Sequence, residues 1–273
     1  MHPIEQLRVV ARAKGEDPGL LAQEAARALG NLRGDGAMLV TACRRLVDRQ
    51  PACGPLWWVG ARVLGAADPT EEAYLVADEL ARDRTPSVLG RELAEEARVA
   101  VVGWPGQASQ VLRRRGDVDV LVVEADGSGS ALASQLRRAG TSVSLVPESG
   151  LGQAVGVADL VLLEGSAVGE TGLVATAGSY AAAAVAYDTG VPVWVVAGVG
   201  RVLPPPLWEA LRARVVEDLR PGHGDNDIVP ARLVDRVVGP DEVQTFSAAL
   251  ARADFPSVPE LTRRAPAPGS AVG

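Results

Sequence analysis

Lysine occurs once in the 273 residues, as Lys14, so chemistry that needs a Schiff-base or P-loop lysine in the second half of the chain is excluded. Histidine and cysteine are nearly as scarce, with two of each. Cys43 and Cys53 stand ten positions apart with no Cys-x-x-Cys and no histidine beside them, which argues against a zinc centre or a disulfide framework and fits a reducing compartment. His2 is terminal. His223 lies in Gly222-His-Gly-Asp225, where glycines would expose a general base, but a solvated loop residue is the reading preferred. Without a Gly-x-Ser-x-Gly element or a Cys–His pair, a hydrolase triad has no support. The first residues hold no apolar core of signal-peptide length, and no stretch reaches the roughly 20 apolar residues of a membrane span. A cytoplasmic protein without a membrane partner is expected. A basic balance is missing as well: the formal charge is -7 and the pI about 5.0, which argues against a nucleic-acid partner.

Hydrophobic residues make up 47% of the chain, enough for the core of one large domain or two ordinary ones. Residues 1–97 read as helices only. Leu20, Leu21, Ala25, Leu29 and Leu32 fall at helical spacing, and Leu39, Cys43, Leu46 and Val47 repeat it after a glycine-bearing break. Asp68-Pro-Thr-Glu-Glu72 is a helix-start signature, and Thr85-Pro86 opens another helix in the same way. Trp57 and Trp58 read as packing residues. Glu92, Glu95 and Glu96 with Arg91 read as a solvated charged face.

From residue 98 the pattern changes to alternation. Strands are predicted over 99–102, 118–123, 142–146, 160–163 and 193–196, with helices over 108–115, 130–139, 151–155 and from Tyr180 to the stop at Gly190. Alternation of this kind builds a largely parallel sheet with helices on both faces, because parallel neighbours need right-handed crossovers. The expected fold is therefore α/β: a helical N-terminal domain, 1–97, and a Rossmann-like α/β domain, 98–262, followed by a disordered tail, 263–273. After Arg201 the pattern blurs into a helix over 207–219, a polar loop over 222–230 and a final segment, 231–238.

In open sheets of this kind, ligands sit outside the carboxyl ends of the strands. That rule gathers Gly103, Trp104, Glu124, Asp126, Glu148, Ser149, Glu164, Ser166 and Arg201, although Ser149 and Ser166 are also good helix caps. Gly127-Ser-Gly129-Ser-Ala-Leu132 resembles part of a dinucleotide fingerprint. Leu132 occupies the third glycine position, however, and Glu124 and Asp126 would crowd a pyrophosphate, so a nucleotide oxidoreductase is set aside. The residues call for no cofactor and no metal.

The stretch 159–201 carries a resemblance. Glu164-Gly-Ser-Ala-Val168, Glu170-Thr-Gly172, Ala175-Thr-Ala-Gly178-Ser179 and Gly190-Val-Pro192 before an apolar run follow the frame of a known family, in which a strand leads to Gly-Ala-Asp-Ala-Val, an Asp-Gly turn, Asn-Lys-Ile-Gly-Thr and a helix closed by Gly-Val-Pro. Asp227-Ile-Val-Pro230 is similar to that family's Asp-x-Thr-Pro. The chain thus resembles the alpha, beta and delta subunits of translation initiation factor 2B, a family that includes methylthioribose-1-phosphate and ribose-1,5-bisphosphate isomerases. The resemblance runs from about residue 98 to 238.

It implies a fold and puts the chemistry in question. The family's isomerases use a strand-end cysteine and the aspartate of Gly-Ala-Asp. Here Ser166 stands at that aspartate, no cysteine follows Cys53, Ala125 replaces a phosphate-binding arginine, and Ala175-Thr176 replaces Asn-Lys. A serine hydroxyl cannot carry a proton as a carboxylate does near neutral pH. The leading expectation is a non-isomerase family member holding a small phosphorylated ligand, a sugar phosphate or nucleotide, for a regulatory or assembly role. Gly103, Gly165, Ser166, Gly178, Ser179, Arg201 and Asp227 are its ligand-binding candidates. One alternative is a divergent sugar-phosphate isomerase using Glu124, Glu148 or Glu164 as its acid and base. The other is a pure interaction subunit. The resemblance implies a homodimer, and the run 193–196 with Trp194 is either a buried strand or part of such an interface.

Overall fold

The computed structural model describes the chain except for residues 1–2, 14, 16, 33–35, 220–223, 254, 257 and 264–273. His223 and nearly all of the tail lie outside the described residues. Six helices come first: α1 (Pro3–Arg12), α2 (Pro18–Gly30), α3 (Gly36–Arg49), α4 (Gly54–Gly65), α5 (Pro69–Ala81) and α6 (Thr85–Glu92). Two begin on an aspartate followed by proline, where the ring fixes φ and the carboxylate takes otherwise unpaired N–H groups. Asp17 accepts from Leu20 N at 2.9 Å, and Asp68 from Thr70 N at 2.9 Å and Glu71 N at 3.0 Å. Trp57 and Trp58 are both buried, in keeping with a packing role.

The main sheet comprises β1 (Arg98–Val102), β2 (Asp119–Val123), β3 (Ser142–Val146), β4 (Leu160–Glu164), β7 (Val193–Val196), β9 (Arg236–Val238) and β10 (Val243–Gln244), in the order β10-β9-β7-β4-β1-β2-β3. All pairings are parallel except that of β10 with β9. Strand side chains alternate between two cores. Val99, Val101, Val120 and Val122 face α6, α7 (Gly106–Leu112) and α8 (Ser128–Ala139). Ala100, Val102, Leu121 and Val123 face α9 (Leu151–Gly156), α10 (Ser179–Thr189) and α12 (Phe246–Ala251). A sheet covered on both faces explains the near-continuous apolar runs. β7 lies inside it, between β4 and β9, so burial accounts for the run 193–196.

The third core, among the first helices, is shared. It takes in Leu207, Trp208, Leu211 and Val215 of α11 (Pro205–Asp218) and Leu261 of α13 (Pro259–Thr262). Arg214 ties these parts together: its guanidinium stacks 4.6 Å from the Trp57 ring centroid and donates to Asp48 at 3.1 Å and to Leu261 O at 3.2 Å.

Two stretches with no predicted strand form strands. Residues 165–176 form a hairpin of β5 (Ala167–Gly169) and β6 (Gly172–Thr176), and β8 (Asn226–Pro230), expected as polar loop, pairs with β6. The pairing is what makes them strands: Leu173 lies opposite Val229 and Val174 opposite Ile228, across more than fifty residues of chain. Gly169 belongs there because an added β-carbon would stand 2.0 Å from the Trp208 ring.

Candidate functional site

From β1 the chain steps outward to β2 and β3, then returns to lay β4 on the other side of β1. The order reverses between β1 and β4, so the loops after these two strands border the topological switch point. Glu164, the last residue of β4, does not project into solvent there. One carboxylate oxygen accepts from Gln107 N at 2.7 Å, at the start of α7, and the other from Arg201 Nη1 at 2.9 Å. Arg201 Nη1 also donates to Gly165 O at 3.0 Å, and Nη2 lies 3.5 Å from Asp17. Arg201 is only 1% exposed. Burial pushes the Glu164 carboxyl above the usual glutamate range, and the neighbouring Arg201 charge partly offsets the rise.

Ser166 belongs to the same buried cluster. Its hydroxyl lies 3.2 Å from Val174 O, and its carbonyl accepts from Gly54 N at 3.0 Å at the start of α4. Gly165 is buried against Val168 and Val195. Three expected ligand contacts, Gly165, Ser166 and Arg201, together with Glu164, are therefore engaged within the protein, where they join α4 and the α2 cap to the sheet.

The open crevice lies to one side, at the ends of β1, β2 and β3. Its volume is about 750 Å³, and its lining includes Glu124, Asp126, Glu148, Gly178 and Asp225. Glu124 crosses the first turn of α8, accepting from Gly129 N at 3.1 Å and Ser130 N at 2.9 Å. Asp227 does the same at α10, accepting from Gly178 N at 2.8 Å and Tyr180 N at 2.9 Å. Gly103 adjoins the crevice with φ 61°, and an added β-carbon there would come within 2.8 Å of Ser128 Oγ. Ser179 is buried behind Gly178. Glu148 is exposed at the rim.

The N-termini of α7, α8 and α10 thus each hold one of the chain's own carboxylates. A helix N-terminus is where a phosphate would normally be received. Here the N–H groups are taken, and every charged residue among the described lining is acidic. For proton transfer, Glu124 has its oxygens committed to backbone donors and Glu164 to a backbone N–H and the Arg201 guanidinium, and Glu148, at the rim, is the one of the three candidates without a partner among the described residues. A smaller cavity of about 300 Å³ opens at the ends of β7 and β9, near Trp58, Pro240, Gln244 and Phe255.

Sequence reasoning missed Asp17, Asp83 and Gln107. Asp83 accepts from Thr85 Oγ1 at 2.6 Å, Gln107 Nε2 at 2.7 Å and Val199 N at 3.0 Å, linking the α5–α6 turn to α7 and the loop after β7. Asp17 carried a signal as the residue before Pro18, but its approach to Arg201 spans 184 positions and no local pattern reveals it.

The initiation factor 2 subunit family matches residues 70–238, more than half of the chain. A search of curated proteins returns no match. Among solved structures, the chain is similar to the translation initiation factor eIF-2B of Pyrococcus horikoshii OT3 at 15% identity and a TM-score of 0.70, covering 89% of this chain and 96% of that one. It is also similar to a chain of the tetrameric eIF2B-beta2-delta2 complex of Chaetomium thermophilum at 18% identity and a TM-score of 0.71, covering 91% and 92%. For eIF2B delta from the same organism the values are 17% and 0.69, with 88% and 97% covered. At these identities the likeness shows the fold.

Proposed function

The chain belongs to the initiation factor 2 subunit family, and from that premise we propose that it is a member without isomerase activity that works as an assembly or regulatory subunit. The observation that carries this reading is the self-capping of α7, α8 and α10 by Glu164, Glu124 and Asp227. Positions where a phosphorylated substrate would gain binding energy are already filled by internal anions, and a phosphate entering beside Glu124, Asp126, Glu148 and Asp225 meets like charge. A sugar-phosphate or nucleotide ligand is thereby disfavoured in the crevice. Arg201, the cation expected to hold it, is neutralised by Glu164 and Asp17.

Assembly has its own support. One structural neighbour was solved as a tetramer. Tyr180 and Tyr187, seven positions apart on α10, present exposed rings on one face of the helix, Tyr187 at 69%, and Val157 is exposed as well. We assign this surface to contact with a second copy in a cytoplasmic homodimer. The test pairs calorimetry with ribose 5-phosphate, ribose 1,5-bisphosphate and AMP against light scattering. Absence of binding at millimolar ligand, with a dimer that Tyr187→Asp dissociates, is the expected result. Micromolar binding of a sugar phosphate, or aldose–ketose turnover lost in Glu148→Gln, overturns it.

A further inference from the structure

Away from the crevice, the sheet ends on one side in β3, whose sequence is Ser-Val-Ser-Leu-Val. Edge strands are usually blunted by a charge, a proline or a bulge. β3 has none of these within its five residues, and Leu145 on it is 40% exposed. Val146 O accepts from Glu124 N, towards β2. Because backbone groups alternate along a strand, the N–H and C=O of Val143 and Leu145 turn the other way, to the open edge.

A second feature lies at the start of β3. Thr141 Oγ1 donates to Leu112 O at 3.1 Å, which places the C-terminal ends of α7 and α8 side by side. Four exposed arginines stand there: Arg113 and Arg114 just after α7, and Arg137 and Arg138 in the last turn of α8. None of the four takes part in an ion pair among the described residues. Two carboxylates at this end of the sheet are committed elsewhere, Asp117 to Arg115 and Asp119 to Arg98. In a chain of net charge -7 this is an island of uncompensated positive charge beside the open edge of β3.

We propose that the β3 edge is a docking site for an extended acidic segment of a partner protein. The segment adds as a strand along Ser142–Val146 and sets a cluster of carboxylates over Arg113, Arg114, Arg137 and Arg138. Main-chain bonds to Val143 and Leu145 supply the pairing, and the arginines select an acidic segment and its register. Charge complementarity favours this occupant over a second copy, whose own β3 edge would bring the same arginine-rich surface.

The test uses the full chain and a fluorescent peptide of alternating valine and threonine with glutamates at either end, followed by anisotropy. Saturable binding that weakens with added salt is expected. Arg137→Glu/Arg138→Glu, checked for folding by circular dichroism, should weaken it at least tenfold. Leu145→Pro removes an outward N–H while sparing the ladder to β2, and should abolish binding with the fold retained. Three results overturn the proposal: no binding at millimolar peptide, equal binding of a proline-interrupted acidic peptide that cannot form a strand, or loss of the chain's own self-association in Leu145→Pro, which would give the edge to a second copy.

Discussion

Arg201 Nη1 lies 2.9 Å from Glu164 Oε1 in the protein interior, and the pair joins the loop after β7 to the end of β4 while Asp17 approaches from α2. Removing one partner of such a pair leaves an uncompensated buried charge, which costs about 3–5 kcal/mol, whereas replacing both with apolar residues costs much less. Arg201→Met should therefore lose most of that amount in urea unfolding, and Arg201→Met/Glu164→Met should recover part of it. The pH dependence has a sign. A carboxyl raised by burial contributes stability below the ordinary glutamate range and loses it as pH rises through the raised value, so Arg201→Met should regain ground on the parent as pH falls below neutral. A double variant as unstable as the single one would show that the pair is not the source of the loss.

Asp227 holds the N-terminus of α10 through Gly178 N and Tyr180 N. Replacing a capping aspartate by alanine costs about 1 kcal/mol. Asp227→Ala should show that loss, and the vacated N–H groups become available to an external anion. Sulfate should then raise the melting temperature of the variant more than that of the parent. Equal responses would mean that the internal carboxylate is not what keeps anions out.

Much of the fold is legible because it is written in local periodicity. The strand predicted over 142–146 and the run 193–196 coincide with β3 and β7, and the stop at Gly190, with φ 74°, follows from the need for a residue that tolerates a left-handed cap. The hairpin over 167–176 is not legible in this way. Three residues of β5 carry no period, and β8 becomes a strand only by pairing with β6. The site divides likewise. Topology alone brings Glu124, Asp126 and Glu148 to one crevice, but whether a strand-end carboxylate faces a ligand or caps its own helix depends on distances that no spacing encodes. Asp227 and Gly178 illustrate this: both were expected as ligand contacts, and they bond to each other.

Burial pushes the thiols of Cys43 and Cys53 up to about 12 from an ordinary 9.0, with backbone hydrogen bonds opposing the rise. The thiolate is the reactive form, so neither side chain should react with a thiol reagent while the protein is folded. Both should label on unfolding, at the rate at which the helices open. Because the folded values are raised, the associated stability is intact below 9.0 and is lost as pH climbs towards 12. Labelling of either cysteine in the native state at the rate of a free thiol would contradict the packing described.

Arg115 grips Asp117 with two parallel bonds, Nε to Oδ1 at 2.7 Å and Nη2 to Oδ2 at 2.6 Å, and its remaining donors reach Leu93 O and Ala94 O, each at 2.9 Å, beyond α6. The hydrogen bonds from Arg115 hold the Asp117 carboxyl down at about 2, against an ordinary 3.8. A depressed carboxylate contributes stability above its unfolded value and loses it as pH falls through the folded one, so this contribution should disappear between about 4 and 2. Carboxyl NMR should find Asp117 titrating near the lower limit. Arg115→Lys keeps the charge but cannot make the fork, and should return Asp117 towards its ordinary range while loosening the C-terminal end of α6. If Asp117 already titrated at 3.8 in the parent protein, the fork would not exist in solution, and Arg115 would tie the turn before β2 to the end of α6 through the carbonyls of Gly90, Leu93 and Ala94 without a carboxylate to orient it.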